Sequence, residues 1–318
     1  MRPSVLLPRL IKNFDSKLDE IIQEDLPILK KIKKHVIQSG GKRIRPLTHY
    51  FLCQLHDYKG SIWKDVGAIA ELIHGASLLH DDVVDLSELR RGKPTVGALY
   101  GNKTAILGGD YLLACGIDHL NRLNQPEIMA AYTKVIRDLS VGELIQMEWE
   151  KNPKITLAIY ESVIYGKTAS LFGAVSISAG ILSGLKGKPL EKIHNFGIQM
   201  GLLFQRKDDY IDYFDDSKKS GKIPLKDFMN GLYTYPILLL QEKLKKNDLK
   251  IIHDLLKKEM KSAEDKAMIL HYLEAFNIQS ELLTMLKNDG NSLIQYLSEL
   301  PESDIRKLFI EKIEELIN

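Results

Sequence analysis

The chain has 318 residues, of which 44% are hydrophobic and 27% charged, a composition typical of a globular protein with a sizeable core. Lys and Arg number 44 and Asp and Glu 42, so the formal net charge is only +2 and no nucleic-acid partner is expected. The two cysteines, Cys53 and Cys115, stand far apart, which argues against a disulfide scaffold and a structural zinc site and fits a reducing cytoplasm.

In chain order, helical spacing dominates from the N-terminus onward. Residues 1–14 contain no apolar run of signal-peptide length. The glycine pairs at 40–41 and 108–109 mark turns or close-packing points, and the proline-free segment 47–93 has room for two or more helices. From Gln241 onward, Leu and Ile recur among Lys and Glu, which predicts amphipathic helices at the periphery. The sequence therefore predicts an all-α fold, in one domain over residues 1–318.

One uncharged stretch, residues 168–185, approaches the length of a membrane span. Its four serines and three glycines after residue 169 make it small rather than strongly apolar. We therefore interpret it as the central helix of a thick helical bundle and predict no transmembrane segment.

Two acidic motifs of the form DDxxD occupy residues 81–85 and 208–212, each within a helical pattern. The first and last Asp of each motif are four residues apart, so they share one helix face. A single copy is better explained by a solvated acidic helix face or an N-cap acid. Two copies with apolar neighbours favour a hard cation such as Mg²⁺, which takes oxygen ligands and keeps positions open for phosphate.

Basic residues stand beside glycines at residues 40–45, 90–93, 166–167 and 221–222. Each alone is an ordinary surface charge. Together with the acidic motifs they suggest two diphosphate sites, one bridged by metal and one held by side chains alone, with arginine offering a bidentate fork.

The sequence resembles the trans-isoprenyl diphosphate synthases, the polyprenyl synthetase family. The resemblance is carried by GGKRIRP at 40–46, ELIHGASLLHDDVVDLSELRRGKPT at 71–95, GELIQ at 142–146, GKTAS at 166–170 and GLLFQRKDDYID at 201–212. It implies a large helical bundle around a central cavity, a homodimer, and condensation of isopentenyl diphosphate with an allylic diphosphate.

The resemblance also implies a role for individual residues. The Mg²⁺ ligands would be Asp81, Asp82, Asp85, Asp208, Asp209 and Asp212. The allylic diphosphate would be bound by Arg90, Lys167 and Lys222, with Thr168 beside Lys167. Isopentenyl diphosphate would be bound without metal by Lys42, Arg45, His74 and Arg91. Gln205, one helical turn before the second motif, would touch the reacting region or orient a carboxylate.

Product length depends on how deep an apolar tunnel runs below the first acidic motif. Ala76 lies five residues before Asp81, about 7.5 Å along a helix, and it and Ser77 are small, with Ile73 about 12 Å away. Family members with short products carry a large aromatic side chain near this position. The resemblance therefore favours a long-chain product of the octaprenyl type for quinone side chains. Helical spacing with Gln146 makes Tyr132 a candidate floor of the tunnel, although ordinary core packing explains the same spacing. A geranylgeranyl or other short-chain product is the alternative.

The sequence departs from the family pattern at three places. Leu232 stands where a lysine is common and Leu225 where a glycine is frequent. Arg206-Lys207 precede the second motif, where neutral residues are usual, and they either replace the missing lysine charge or form salt bridges without a catalytic part. The rival functions are a terpene cyclase and a non-catalytic subunit of a heteromeric synthase. The expected location is cytoplasmic, with transient membrane contact for release of a long product.

Overall fold

The computed structural model describes residues 3–23, 25–38, 42–214 and 225–317. Its helices are α1 Pro3–Ile21, α2 Pro27–Gln38, α3 Ile44–Leu55, α4 Trp63–Val84, α5 Val96–Tyr100, α6 Asn102–Arg122, α7 Pro126–Trp149, α8 Leu157–Ile164, α9 Ser170–Leu182, α10 Lys188–Phe214, α11 Lys226–Met229, α12 Tyr235–Lys243, α13 Lys246–Lys257, α14 Ala263–Ala275, α15 Ile278–Ser298 and α16 Asp304–Ile317. A π-helical turn, Tyr165–Ala169, joins α8 to α9. The strands β1 Leu89–Arg90 and β2 Lys93–Pro94 form one short antiparallel hairpin. The all-α prediction is confirmed.

The chain divides into two compact units. The first holds residues 1–136, 171–197 and 300–309, and the second holds residues 137–170, 198–299 and 310–318. Each unit carries one of the two acidic motifs. That the whole chain is a single domain stays a prediction.

The first unit is built on α4, which packs against α1, α3 and α6. One face of α4 contributes Leu72, Ala76 and Leu79 to an apolar cluster that also contains Val36 of α2 and Leu112 of α6. The glycine pair at 108–109 lies inside α6, where a Cβ on Gly109 would lie 2.3 Å from the His80 ring. This pair is therefore a close-packing point and not a turn.

Most of the uncharged stretch forms α9, and the part of α9 that belongs to the first unit is largely buried. Phe172, Val175, Ser176 and Ser178 are fully covered. A Cβ on Gly197 of α10 would lie 2.4 Å from the Phe172 carbonyl oxygen, so α9 and α10 touch through their backbones. No helix of the described residues is long and apolar enough to cross a membrane. The interpretation of this stretch as a core helix is confirmed.

The second unit has its own apolar core around α12. Ile237 and Leu240 of that helix are fully buried and belong to a cluster with Ile269 of α14 and Leu282 of α15. The C-terminal half of α10 and the whole of α8 pack on the same core. Polar side chains of the two helices meet at the second acidic motif, where Tyr160 of α8 contacts Asp209 of α10.

Candidate active site

The first acidic motif lies at the C-terminal end of α4. The helix ends at Val84, and Asp85 is its exposed C-cap residue, while Asp81 is half-buried. Asp82 is almost fully buried and accepts a hydrogen bond of 2.7 Å from Arg90 Nε. The structure thus pairs Arg90, which the sequence assigns to the allylic diphosphate, with a carboxylate of the first motif.

A tight hairpin places Arg90 beside the motif. Arg90 ends β1, and the two turn residues Arg91 and Gly92 both have left-handed backbone, with φ of 51° and 74°. Such a turn matches the twist of the two strands it joins. The hairpin was not predicted, because strands of two residues show no periodicity.

A group of cationic side chains lies near His74 in the first unit. Burial lowers the pKa of His74 well below its usual range, and the neighbouring Arg45, Arg91, Arg90 and Arg43 lower it further. Arg45 lies with its guanidinium carbon 4.9 Å from the centre of the Phe172 ring, and its buried Nε has no hydrogen-bond partner among the described residues. This concentration of arginines suits an anion that arrives without a metal.

The segment that carries Lys42 and Arg45 is fastened to α4 by Arg43, a residue that the sequence did not single out. Arg43 has left-handed backbone with φ of 47°, and its buried guanidinium donates to Glu71 at 2.7 Å and to Asp15 at 2.9 Å. Lys42 beside it is exposed. No local pattern reveals this clamp, since its partners lie far away in the sequence.

Three of the residues assigned to product length lie on α4, and the fourth, Tyr132, lies on α7. Ile73 and Ala76 are buried, with Ala76 in the cluster shared with α2 and α6, whereas Ser77 is half-buried and donates to the His74 carbonyl at 2.9 Å. Tyr132 is fully buried, and its hydroxyl donates to the Val66 carbonyl at 3.2 Å. Val66 is fifteen residues before Asp81, or about 22 Å along the helix. Tyr132 therefore lies deep below the first motif, and its role as a floor stays a prediction.

The second acidic motif occupies the last turns of α10. Asp208 is exposed, whereas Asp209 is 2% exposed and accepts from Tyr160 Oη at 2.6 Å, Gln205 Nε2 at 3.0 Å and the Tyr235 amide at 3.3 Å. Burial raises the pKa of Asp209 to about 7, against the opposing effect of these three donors. The structure holds this carboxylate in one fixed orientation.

Asp212 and Asp227 extend the acidic group. The Asp212 carboxylate accepts from the backbone amides of Lys226 and Asp227 at 3.1 and 3.0 Å, so it caps the short helix α11. Burial raises the pKa of Asp227 well above its usual range, and Asp212, Asp209 and Asp208 raise it further. Asp227 was not predicted, because it stands outside both motifs and only the fold brings it near the second one.

Lys167 and Thr168 lie on the π-helical turn between α8 and α9. Lys167 forms an ion pair with Glu143 and donates to Gln146 Oε1 at 2.9 Å. The turn approaches α7 closely, since a Cβ on Gly166 would lie 2.8 Å from the Gly142 Cα. Single π-helical turns inserted into α-helices are frequent at functional sites.

A chain of hydrogen bonds joins this turn to the second motif. Thr168 Oγ1 donates to Gln205 Oε1 at 3.0 Å, and Gln205 Nε2 donates to Asp209. Gln205 therefore orients a carboxylate, which is one of the two roles that its position suggested. Lys222, which the sequence assigns to the allylic diphosphate, lies outside the described residues.

The departures from the family pattern have clear structural settings. Arg206 is buried and paired with Glu161 and Asp289, so it is a salt-bridged residue and offers no free charge in place of the missing lysine. Leu225 is buried with left-handed backbone, φ 59°, where a glycine would be unstrained. Leu232 is half-buried.

The residues near the second motif suit a hard divalent cation. Within the described ranges, no group of three or more His, Cys, Asp or Glu side chains is arranged to hold a metal ion alone. The neighbouring acidic side chains nevertheless offer carboxylate oxygens, and Asp212, Asp209 and Asp208 add to the effect of burial in raising the pKa of Asp227. Mg²⁺ is commonly held by one or two carboxylates together with substrate phosphates and water. The residues therefore fit a metal that arrives with a diphosphate.

Comparison with known proteins gives the same family. The polyprenyl synthetase family model matches residues 26–273. The heptaprenyl diphosphate synthase component 2 of Bacillus subtilis is 36% identical over 241 residues, which cover 75% of this chain and 69% of that protein. The crystal structure of a decaprenyl diphosphate synthase from Rhodobacter capsulatus is 26% identical, with a TM-score of 0.92 over 99% of this chain and 97% of that one.

A second solved structure bears on ligands. The polyprenyl synthase of Caulobacter crescentus, described as complexed with calcium and isoprenyl diphosphate, is 26% identical with a TM-score of 0.89, covering 98% of this chain and 95% of that one. Family model, relative and folds agree with the motifs and with the side chains gathered around them. The chain therefore belongs to the polyprenyl synthetase family, the trans-isoprenyl diphosphate synthases, and it is a prenyltransferase.

Proposed function

We propose that this enzyme condenses isopentenyl diphosphate with an allylic diphosphate of the farnesyl or geranylgeranyl type, in a Mg²⁺-dependent reaction that is repeated to give a long all-trans product. The observation that carries the proposal is the contrast between two kinds of site. One is the group of cationic side chains around His74, here called the cationic pocket, and the other is an acidic motif in which three donors hold the Asp209 carboxylate. The first suits a diphosphate alone and the second a diphosphate with its metal.

The allylic substrate would be handled by the acidic motifs. Asp81, Asp82 and Asp85, with Asp208, Asp209 and Asp212, would hold Mg²⁺ on the allylic diphosphate, and Asp227 adds charge nearby. Mg²⁺ supplies electrostatic stabilisation of the diphosphate that leaves when the allylic C–O bond breaks. Arg90, Lys167 and Lys222 would contact the same anion. Tyr160 and Gln205 keep the Asp209 carboxylate oriented before the substrate arrives.

Isopentenyl diphosphate would bind in the cationic pocket. Arg45, His74 and Arg91, with Lys42, would hold its diphosphate, while Arg43 fixes the segment from which Lys42 and Arg45 project. The double bond of isopentenyl diphosphate attacks the allylic carbocation, and a proton is then lost to give the longer product. This sequence of steps requires no protein nucleophile, and the departing diphosphate is the proposed base.

The two sites can be tested by their metal dependence. Calorimetric titration of the purified chain should detect isopentenyl diphosphate binding without Mg²⁺, and this binding should weaken at least tenfold in Arg45→Ala because a bidentate cation is lost. Binding of an unreactive allylic diphosphate should require Mg²⁺ and should weaken in Asp209→Asn. If removal of Mg²⁺ affected both ligands equally, the assignment of two different sites would be wrong.

The two rival functions predict other products. A terpene cyclase needs no second diphosphate and would release cyclic hydrocarbons, although the cationic pocket gives no reason for that reaction. A partner subunit would show no turnover by itself, and one relative is named component 2 of a heptaprenyl synthase. We favour an active homodimer because both acidic motifs are present, and chromatography of the dephosphorylated products separates the three outcomes.

The product is proposed to be long-chain, for quinone side chains, because Ala76 and Ser77 leave α4 small below the first motif. A geranylgeranyl-length product is the alternative if other residues close the tunnel earlier. We further propose a cytoplasmic enzyme that contacts membranes only to release its product.

A further inference from the structure

Arg206 is the residue at which this chain departs most clearly from the neutral residues usual before the second motif. It lies on α10, three residues before Asp209, so the two side chains share a helix face. The residue is 8% exposed. Its Nη1 donates to Asp289 Oδ2 of α15 at 2.6 Å and its Nη2 donates to Glu161 Oε1 of α8 at 2.9 Å. One positive charge thus faces two negative ones, and none is left for a substrate.

The same arginine fixes the side chain of Tyr235. The Tyr235 hydroxyl donates to the Glu161 oxygen that Arg206 also uses, at 3.3 Å. The guanidinium carbon of Arg206 lies 5.1 Å from the centre of the Tyr235 ring, within the range of a cation–π interaction. The tyrosine ring is therefore held at its face and at its hydroxyl by one connected group.

Tyr235 is also a direct partner of the second motif. It is the first residue of α12, and its backbone amide donates to Asp209 Oδ2, the oxygen that also accepts from Tyr160. Because the ring and this amide are joined through one Cα, holding the ring against Arg206 and Glu161 limits where the first residue of α12 can place the amide. Arg206 thus contacts Tyr235, and Tyr235 in turn donates to Asp209, the carboxylate proposed to bind Mg²⁺.

We propose that Arg206 is a positioning residue of the second acidic motif, which holds Tyr235 where its amide can orient Asp209 for the metal. The inference rests on the proposed function. A lysine at this position would keep the positive charge but would lack the planar fork that reaches two carboxylates while lying on a ring. Geometry, and not charge, is therefore what Arg206 contributes.

The test is the Mg²⁺ concentration that half-saturates binding of an unreactive allylic diphosphate, measured through the rise in melting temperature that the ligand causes. In Arg206→Lys we expect this concentration to increase about tenfold, and the KM for isopentenyl diphosphate to stay within about twofold of the wild-type value. In Glu161→Gln, which keeps an oxygen for both donors, the half-saturating concentration should change by less than about threefold. Arg206→Lys with an unchanged concentration overturns the inference.

A purely structural role is separated by a stability control. Leu297 of α15 is fully buried and lies eight residues beyond Asp289, so Leu297→Ala should lower the melting temperature without changing the Mg²⁺ requirement. If Leu297→Ala raised the Mg²⁺ requirement as much as Arg206→Lys, the inference would be overturned. If Arg206→Lys does not fold, Tyr235→Phe takes its place, since it keeps Arg206 and both ion pairs. Tyr235→Phe should raise the requirement in the same direction, and no change there would also overturn the inference.

The titration of the wild-type chain distinguishes failure of the proposed function from failure of the inference about Arg206. A wild-type chain that binds the unreactive allylic diphosphate independently of Mg²⁺ would contradict the proposed function and the inference with it. A wild-type chain that needs Mg²⁺, with variants that need the same amount, would contradict the inference alone.

Discussion

At the scale of single residues, His49 shows how a buried titratable group contributes to stability without a catalytic part. It is fully buried in α3, and its Nδ1 donates to the Val175 carbonyl of α9 at 2.7 Å. Burial lowers the pKa of His49 to about 4. The imidazole is therefore neutral in the folded protein at pH values where the unfolded chain already binds a proton.

This shift predicts an acid-dependent loss of stability. Since the folded pKa lies below the unfolded value of 6.5, the contribution is complete above about pH 6.5 and is lost as the pH falls toward 4, by up to about 3 kcal/mol. Urea unfolding between pH 4 and 7 should show a steeper pH dependence for the wild type than for His49→Gln. Equal slopes for the two proteins would show that His49 is protonated in the folded state.

Two leucines with left-handed backbone give a matched pair for measuring strain. Leu86 has φ of 50° and is 80% exposed, whereas Leu225 has φ of 59° and is 3% exposed. Left-handed backbone costs a residue with a Cβ about 1–2 kcal/mol. We predict that Leu86→Gly stabilises the protein by up to about 1 kcal/mol, after the entropy of glycine is subtracted. Leu225→Gly should destabilise it by about 2 kcal/mol or more, because apolar burial is lost. The free energy of unfolding, measured by chemical denaturation, tests both predictions. A Leu86→Gly variant that is less stable than the wild type would contradict backbone strain at Leu86.

At the scale of elements, the contact between α7 and the π-helical turn has the clearest consequence for activity. A Cβ on Gly166 would lie 2.6 Å from the Asp138 carbonyl oxygen, and one on Gly142 would lie 2.9 Å from the Lys167 amide nitrogen. Neither neighbour is the end of a flexible side chain, so the elements must separate. We predict that Gly166→Ala displaces Lys167 and lowers kcat at least tenfold.

The control for this prediction is Gly116 of α6, where a Cβ would meet only ordinary contacts at 3.7 Å. Gly116→Ala should keep full activity and add about 0.5–1 kcal/mol of stability, because alanine is the better helix former. Steady-state kinetics and thermal unfolding of the two variants check both statements. Equal activity in Gly166→Ala and wild type would show that the backbone contact does not hold Lys167.

Two neighbouring substitutions test the proposal that α4 lines a product tunnel. Ala76 and Ser77 point about 100° apart on the helix, so only one of them can face the same space. We predict that Ala76→Tyr shortens the product sharply, and that Ser77→Tyr shortens it less. Because Ala76 is 2% exposed, overpacking is expected to cost about 1–3 kcal/mol, and the melting temperature must be followed alongside chromatography of the alcohols. An unchanged product length in both variants would contradict the proposal that α4 lines the tunnel.

Sequence reasoning found candidate site residues where they are adjacent in the chain, and their catalytic roles stay predictions. Asp81–Asp85, Asp208–Asp212 and Arg90-Arg91 are contiguous, and their helical or glycine-rich setting is readable from the chain. Tyr160 is a different case, since it reaches Asp209 across 49 positions and resembles any buried tyrosine in sequence. Arg43 and Asp227 were missed for the same reason: their partners are set by tertiary packing, which no local pattern encodes.

At the scale of the whole molecule, exposed apolar side chains support the proposed homodimer. Ile106 and Leu107 of α6 are 43% and 67% exposed, and Leu99 of α5 is 48% exposed. Apolar residues that neighbour one another on a surface commonly mark an interface. Leu107→Glu should therefore shift the chain toward the monomer in sedimentation equilibrium.

Met260, which is 90% exposed between α13 and α14, supplies the matched control, and Met260→Glu should leave the oligomeric state unchanged. A monomeric wild type, or a Leu107→Glu variant that assembles like the wild type, would contradict this placement of the interface.

The most direct measurement of the proposed function is the mass of the product made by the purified chain alone. The chain is incubated with Mg²⁺, farnesyl diphosphate and an excess of labelled isopentenyl diphosphate, and the dephosphorylated products are weighed by mass spectrometry. We predict linear prenyl alcohols that carry several labelled isopentenyl units each, and none when Mg²⁺ is removed. No labelled product, or unlabelled cyclic hydrocarbons, would contradict the proposal that this chain is a complete chain-elongating synthase.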